Sequence, residues 1–258
     1  MTTRSECQYV LEIAVHSLTS AIAASQSGAD RIELCAALEV GGLTPDIGLI
    51  KQVLQEVSIP IHVLIRPRIG NFYYDRNEMR TIRSSIEEYA AMGVHGFVFG
   101  CLTSDDQIDV PVLQEVIEWA GSLPVVFHRA FDLVQDPEES LRHLSSLSIT
   151  EVLTSGQQST AWEGRDLLKK MADYKDGVTI IAGSGIHSGN LADLRQYTGI
   201  THFHTSAKAF QRGLSDEQHS RNTRLFGRFY DRDGKWESSE AEIMRMKSIL
   251  DRSTPQRG

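Results

Sequence analysis

Two carboxylates, a guanidinium, two imidazoles and a thiol recur in short apolar runs of this chain. Glu12 lies in YVLEIAV, Glu33 and Cys35 in RIELC, Arg66 in IHVLIR, His128 in PVVFH and His204 in HFHTS. Side chains alternate across a strand, so Glu12 shares a face with Ala14, Glu33 with Cys35, and His202 with His204 and Ser206. The run from His62 puts Leu64, Arg66 and Arg68 on a common side, and FHRAFD adds Arg129 and Asp132 beside His128. Such groups are costly to bury unless paired. Brought together, Glu12, Glu33 and Arg66 would form a cluster in which the guanidinium keeps both acids ionised and can clamp an anion through two hydrogen bonds. His128 beside them is a candidate general acid or base. The competing reading is an ion-pair network that only fills an interior.

A second set of residues has the chemistry of an anion cradle. Ser155 and Gly156 follow one apolar run, Gly183, Ser184 and Gly185 a second, and Ser206 a third. Small residues let backbone N–H groups approach an anion closely. Glycines are also needed simply to make such turns, and that alternative carries equal weight.

These residues need a frame that brings them to one place. Apolar, β-branched runs recur roughly every 25–30 residues, the length of one strand–helix unit. Strands are predicted near 9–15, 31–35, 61–66, 96–100, 124–128, 151–155, 178–182 and 202–206. Asp75 predicts a helix N-cap ahead of Met79, Ile82, Ile86 and Tyr89, with Gly93 as the stop. Asp136-Pro137 and Asp109 with Pro111 open two more helices, facing Leu141 and Leu144, and Leu113, Val116 and Ile117, inward. Residues 241–251 supply the eighth. Eight such units in 258 residues predict a single (β/α)8 TIM barrel, an α/β fold whose strand C-termini carry the chemistry. An open doubly wound sheet is the alternative. Small-residue turns after strands six to eight fall where barrels commonly hold phosphate. The stretch 210–239 reads as a long loop between strand eight and helix eight: a lid, a dimer contact or a floppy insertion. His16, His95, His143, His187 and His219 read as surface residues, and Met79, Met92, Met171, Met244 and Met246 as packing.

Composition narrows the partners. A net charge of −8 with no basic run argues against nucleic acid. No apolar stretch is long enough to span a bilayer, and the N-terminal residues lack a signal-type run, so a cytoplasmic location is expected. Cys7, Cys35 and Cys101 show no CxxC spacing and no disulfide framework.

In order along the chain, LEI, GADRIELCAALEVGGLTP, IHVLIRPRIGNFYY, VVFHRAFD, VLTSGQ, AGSGI and HTSA resemble the CutC family, over about Val10 to Lys208. The resemblance implies a TIM barrel, a cytoplasmic protein, often a homodimer, and a role in copper homeostasis with copper bound through cysteines. On that reading Cys35 is the chief ligand, with His128, Cys101 or His204 completing the set. Many relatives carry a cysteine two places after the strand-one glutamate; here that place is Ala14, which removes a second thiol. Cu(I) prefers thiolate or thioether ligands. Three functions therefore stand side by side: a copper-handling protein; an enzyme on a small anionic or phosphorylated metabolite, using Glu12, Glu33, Arg66 and His128, with a divalent metal allowed on the two acids; and a non-catalytic dimer.

Overall fold

The computed structural model describes residues 9–174, 177–212 and 234–252. Strands and helices alternate: β1 (Val10–Val15), α1 (Leu18–Gln26), β2 (Arg31–Leu34), α2 (Ile47–Glu56), β3 (Ile61–Leu64), α3 (Arg76–Ala91), β4 (Gly96–Phe99), α4 (Val110–Ala120), β5 (Val125–Phe127), α5 (Pro137–Ser146), β6 (Glu151–Thr154), α6 (Arg165–Ala172), β7 (Thr179–Gly183), α7 (Leu191–Thr198) and β8 (His202–Thr205). A short antiparallel ribbon follows, β9 (Lys208–Arg212) against β10 (Gly234–Ser238), and then α8 (Glu240–Asp251). Strands β1 to β8 are all parallel, and β8 pairs back onto β1, closing the eight-stranded barrel. The chain is a (β/α)8 TIM barrel.

The helix boundaries follow from their caps. Asp75 accepts from the Glu78 backbone N–H while Glu78 reaches back to the Asp75 N–H, a reciprocal capping box that fixes the start of α3. Asp109 and Asp136 cap α4 and α5, each with a proline in the first turn. Ser239 caps α8.

Two layers of side chains hold the barrel. Outward-facing residues such as Leu11, Ile13, Ile32, Phe97, Phe127 and Phe203 pack under the helices. Inward-facing Cys35, Leu64, Val98, Val126, Leu153 and Ile181 form a separate apolar cluster inside. Alternation along each strand produces this division, since successive residues point to opposite faces.

Three expectations are modified. Met244 is exposed rather than packed, whereas Met171 and Met246 are buried. His16 is half-buried, while His95, His143 and His187 are exposed. The 210–239 stretch is not one irregular loop: both ends are strands of the ribbon, and residues 213–233 lie outside the described residues, as do Cys7 and His219. The buried Glu237 carboxylate on β10 anchors the ribbon, accepting from Ser17 Oγ and Ser20 Oγ of the α1 start at 2.5 Å each. No helix among the described residues is long and apolar enough to cross a membrane.

Candidate functional site

Strand register places the polar groups before any side-chain contact is considered. Glu12 lies beside His204 across β1 and β8, and beside Arg31 across β1 and β2. Glu33 lies beside Ala14 on one side and His62 on the other. These positions all point into the barrel, so one seam, running from β8 through β1 and β2 to β3, carries most of the interior charge.

The contacts follow from that register. Arg31 is ion-paired through Nε to Glu12 and through Nη1 to Glu151 at 2.8 Å. His204 Nε2 stands 3.3 Å from Glu33 Oε2 and 3.8 Å from Glu12 Oε1. Burial works against the charged imidazole of His204, but Glu33 and then Glu12 outweigh it and raise its pKa. Burial likewise works against the Glu33 carboxylate, and His204 outweighs it, holding Glu33 below the ordinary range. Burial dominates for Glu12, which is raised even though Arg31 touches it.

His128 completes the group from the end of β5. Its Nδ1 accepts from the Ala130 N–H at 3.1 Å, so in the neutral ring Nε2 carries the proton. Burial holds the ring's pKa down at about 4 despite the attraction of Glu33, so the neutral form prevails at neutral pH. The ring packs on Phe72, with centroids 4.9 Å apart. Two glycines of β4 and its end make this arrangement possible. A Cβ at Gly100 would strike the His128 ring, and one at Gly96 would lie 2.7 Å from His62 Nε2.

Above the seam is a cavity of about 610 Å³ at the C-terminal face, with Glu33, His128 and His204 in its wall. Arg66, Ser184, Gly185 and Ser206 also line it. Arg66 does not sit with the acids. Its guanidinium donates to the carbonyls of Val40, Gly42 and Gly70, each at 3.1 Å, and lies over the Phe72 ring. It braces the loops after β2 and β3. The cation that touches Glu12 is Arg31, which shares the Glu33 strand face two residues earlier, a parity that RIELC itself carries.

The turn after β6 is also different from a free anion cradle. The Asp132 carboxylate already accepts from the Ser155 N–H at 3.0 Å, the Gln157 N–H at 3.2 Å and Thr154 Oγ1 at 2.5 Å. The Ser155 N–H is therefore occupied by the protein's own carboxylate, and the Gly156 N–H donates to Thr154 Oγ1 at 2.9 Å. Gly156 meets the Gly164 backbone so closely, at φ +72°, that no side chain fits. Gly183 is buried inside the barrel wall rather than on the cavity surface. Of the small-residue set, Ser184, Gly185 and Ser206 face the cavity.

The cysteines lie elsewhere. Cys35 is fully buried in the inner apolar cluster, its Sγ 3.5 Å from the Val15 carbonyl. Cys101 is buried in the outer core, its Sγ 3.5 Å from the Asp109 carbonyl. Burial pushes both thiols far above their ordinary pKa.

The model of the CutC family matches residues 9–209. This chain belongs to the CutC family. A curated CutC family protein from Bacteroides thetaiotaomicron is 42% identical over 203 residues, covering 78% of this chain and 82% of its own length. A solved CutC structure from Streptococcus agalactiae, named for a copper homeostasis role, is 31% identical, with a TM-score of 0.73, covering 77% of this chain and 99% of that one. Phosphoribosylanthranilate isomerase from Thermotoga maritima, at 9% identity and a TM-score of 0.57, covers 95% of this chain and shares the fold alone. The copper implied by the CutC name fits the sulfur ligands poorly here. The register sets Ala14 beside Glu33, so no second thiol stands next to Cys35 on β1, and Cys35 and Cys101 belong to different cores. Among the described residues, the polar convergence is made of carboxylate and imidazole instead.

Proposed function

We propose that this member of the CutC family binds a small anionic metabolite in the cavity at the barrel mouth and moves a proton on it. One observation carries the reading. Buried polar atoms meet at the cavity wall with hydrogen-bonding capacity to spare: Glu33 Oε2 and His204 Nε2 face one another as a charge pair at 3.3 Å without good hydrogen-bond geometry, and His128 Nε2 has no partner. Leaving such groups unsatisfied costs about 1–3 kcal/mol each, a cost that persists where a ligand completes them.

The roles follow from the states of the groups. Glu33, held ionised beside His204, is the base. His128, neutral with its proton on Nε2, is a hydrogen-bond donor to a developing negative charge. The charge of the wall favours an anion. Arg66, Arg129, Lys208 and Arg245 line the cavity against two carboxylates, Glu33 and Glu242. Ser184 and Gly185, with φ of 81° and 69°, place a tight turn at that wall. Copper handling would require soft ligands that these thiols do not offer, so the family name is a weaker guide to this chain than its cavity.

The test has two arms, both in EDTA-containing buffer. Thermal melts with inorganic phosphate, sulfate and a panel of small phosphorylated and carboxylated metabolites should show saturable stabilisation, weakened by Lys208→Ala. For any metabolite that binds, NMR should then show solvent deuterium entering it with wild type and not with Glu33→Gln. If no anion stabilises the protein, or if Glu33→Gln exchanges at the wild-type rate, the reading fails.

A further inference from the structure

Glu12, Glu33 and His204 each place one ligand atom within 4.8 Å of the other two. The arrangement comes from register: His204 and Glu12 are paired neighbours on β8 and β1, and Glu33 follows on β2. Glu12 Oε1, Glu33 Oε2 and His204 Nε2 are all buried; they face one another at 3.3–3.8 Å across the imidazole, and none makes a hydrogen bond of good geometry. The two glutamates are 1% and 6% exposed, so water does not readily take the vacant lone pairs. Two partly unsatisfied carboxylates this deep are costly unless a cation completes them.

We propose that these three residues form a site for one divalent cation of the hard to borderline class, such as Mn²⁺ or Zn²⁺. Metal–ligand bonds of about 2.0–2.2 Å put neighbouring ligand atoms roughly 3–3.5 Å apart. The 3.3 Å between Glu33 and His204 meets that spacing, and the 3.8 Å from Glu12 to His204 needs only a small closure. Two carboxylate oxygens and one imidazole nitrogen suit those ions, whereas Cu(I) selects sulfur. The far oxygen of Glu12 is tied to Arg31, which Glu151 holds in turn, and such outer contacts fix a ligand's orientation. Three protein ligands leave further coordination positions open, as catalytic sites do. Glu33 and His204 line the cavity and Ala14 is the next inward residue of β1 after Glu12, so those positions open towards the mouth. The cation site does not depend on the anion reading, since the ion can bind with the cavity empty of metabolite.

The experiment uses the full chain, stripped with EDTA, exchanged into chelator-free buffer and titrated in the absence of any anionic metabolite. Calorimetry with Mn²⁺ and Zn²⁺ should give one equivalent, and Co²⁺ should develop visible bands without sulfur-to-metal charge transfer. Glu33→Gln and His204→Gln should each weaken binding at least tenfold, while the Cys35→Ser/Cys101→Ser double variant should bind within twofold of wild type. Absence of binding by all three ions, equal affinity in the carboxylate and histidine variants, or loss in the cysteine variant would each overturn the site. If a ligand variant does not fold, the wild-type Co²⁺ spectrum still decides: sulfur charge transfer, or no visible bands, refutes it.

Discussion

The barrel interior has two unlike halves. From β2 round to β7 it is lined by Cys35, Leu64, Val98, Val126, Leu153 and Ile181, a packed apolar arc. Along the seam of β8, β1 and β2 it holds His204, Glu12, Arg31 and Glu33, with Glu151 and His202 nearby. Cys35 directly follows β2 on the face that Glu33 takes, yet the two belong to different halves: the thiol packs and the carboxylate faces the cavity. A barrel stabilised only by packing would have no reason to keep an acid–histidine seam. The seam's electrostatic cost therefore distinguishes the half that only packs from the half that supplies most of the proposed site.

The sharpest way to break this contrast is to truncate one side chain in each half. Glu12→Ala leaves the half-buried Arg31 with Glu151 alone, and breaking a buried pair costs at most about 3–5 kcal/mol. Leu153→Ala in the arc opens a cavity and costs about 2–5 kcal/mol. Urea denaturation should show both losses. Only the seam loss should be recovered when the stranded charges are removed as well, as in Glu12→Ala/Arg31→Met/Glu151→Gln, because the arc has no charge to strand. A Glu12→Ala loss under 1 kcal/mol would mean that the seam is solvated and the division is false.

A second difference is in pH dependence. His128 has a folded pKa of about 4, against about 6.5 for an unfolded histidine. Below pH 6.5 the unfolded chain takes up a proton that the folded ring refuses. Stability attributable to this group therefore falls as pH drops from 6.5 towards 4, by on the order of 3 kcal/mol. His204 has the opposite sign. Its raised pKa stabilises the fold at acid pH, and that contribution is lost as pH rises through the folded value. Comparing wild type with His128→Asn across pH 4–7 isolates the first slope. A constant difference between the two proteins over that range would refute the buried neutral imidazole.

The fold was legible in the sequence because its signals are local. Each predicted strand agrees with β1 to β8 to within two residues, and Asp75, Asp109 and Asp136 cap the helices they precede. The candidate site was legible only in part. Period-two alternation put Glu12, Glu33, His128 and His204 on the inner side, but which cation meets which acid depends on the stagger between strands. That stagger pairs Glu12 with Arg31 and leaves Arg66 to the loop carbonyls. Long-range hydrogen bonding hid the role of Asp132 as well, because its partners lie 22–25 residues along the chain. Gly96 and Gly100 carry no signal of their own in the sequence. Their use becomes visible only when the rings of His62 and His128 are seen above them.

Gly100→Ala tests that last point at a smaller scale. The added methyl collides with the His128 ring and pushes it off the Ala130 N–H, and such overpacking costs about 1–3 kcal/mol. Stability should fall modestly, while His128-dependent ligand binding falls further. Equal anion stabilisation in the variant and in wild type would show that the ring's position does not matter.

The smallest effect is expected at the residue that first suggests metal. Cys35 is fully buried, with its thiol pushed up by burial and then by the Glu33 charge. Reactivity requires thiolate and access, and this thiol has neither. Native protein at pH 8 should leave Cys35 unmodified by a disulfide reagent over hours, whereas urea-unfolded protein reacts at once. Cys35→Ser should cost about 1 kcal/mol, because the hydroxyl can keep the bond to the Val15 carbonyl while losing part of the apolar contact. Rapid modification of folded protein would place Cys35 on the cavity side of the division. The seam would then include a sulfur ligand, and the soft-metal reading implied by the family name would regain its chemistry.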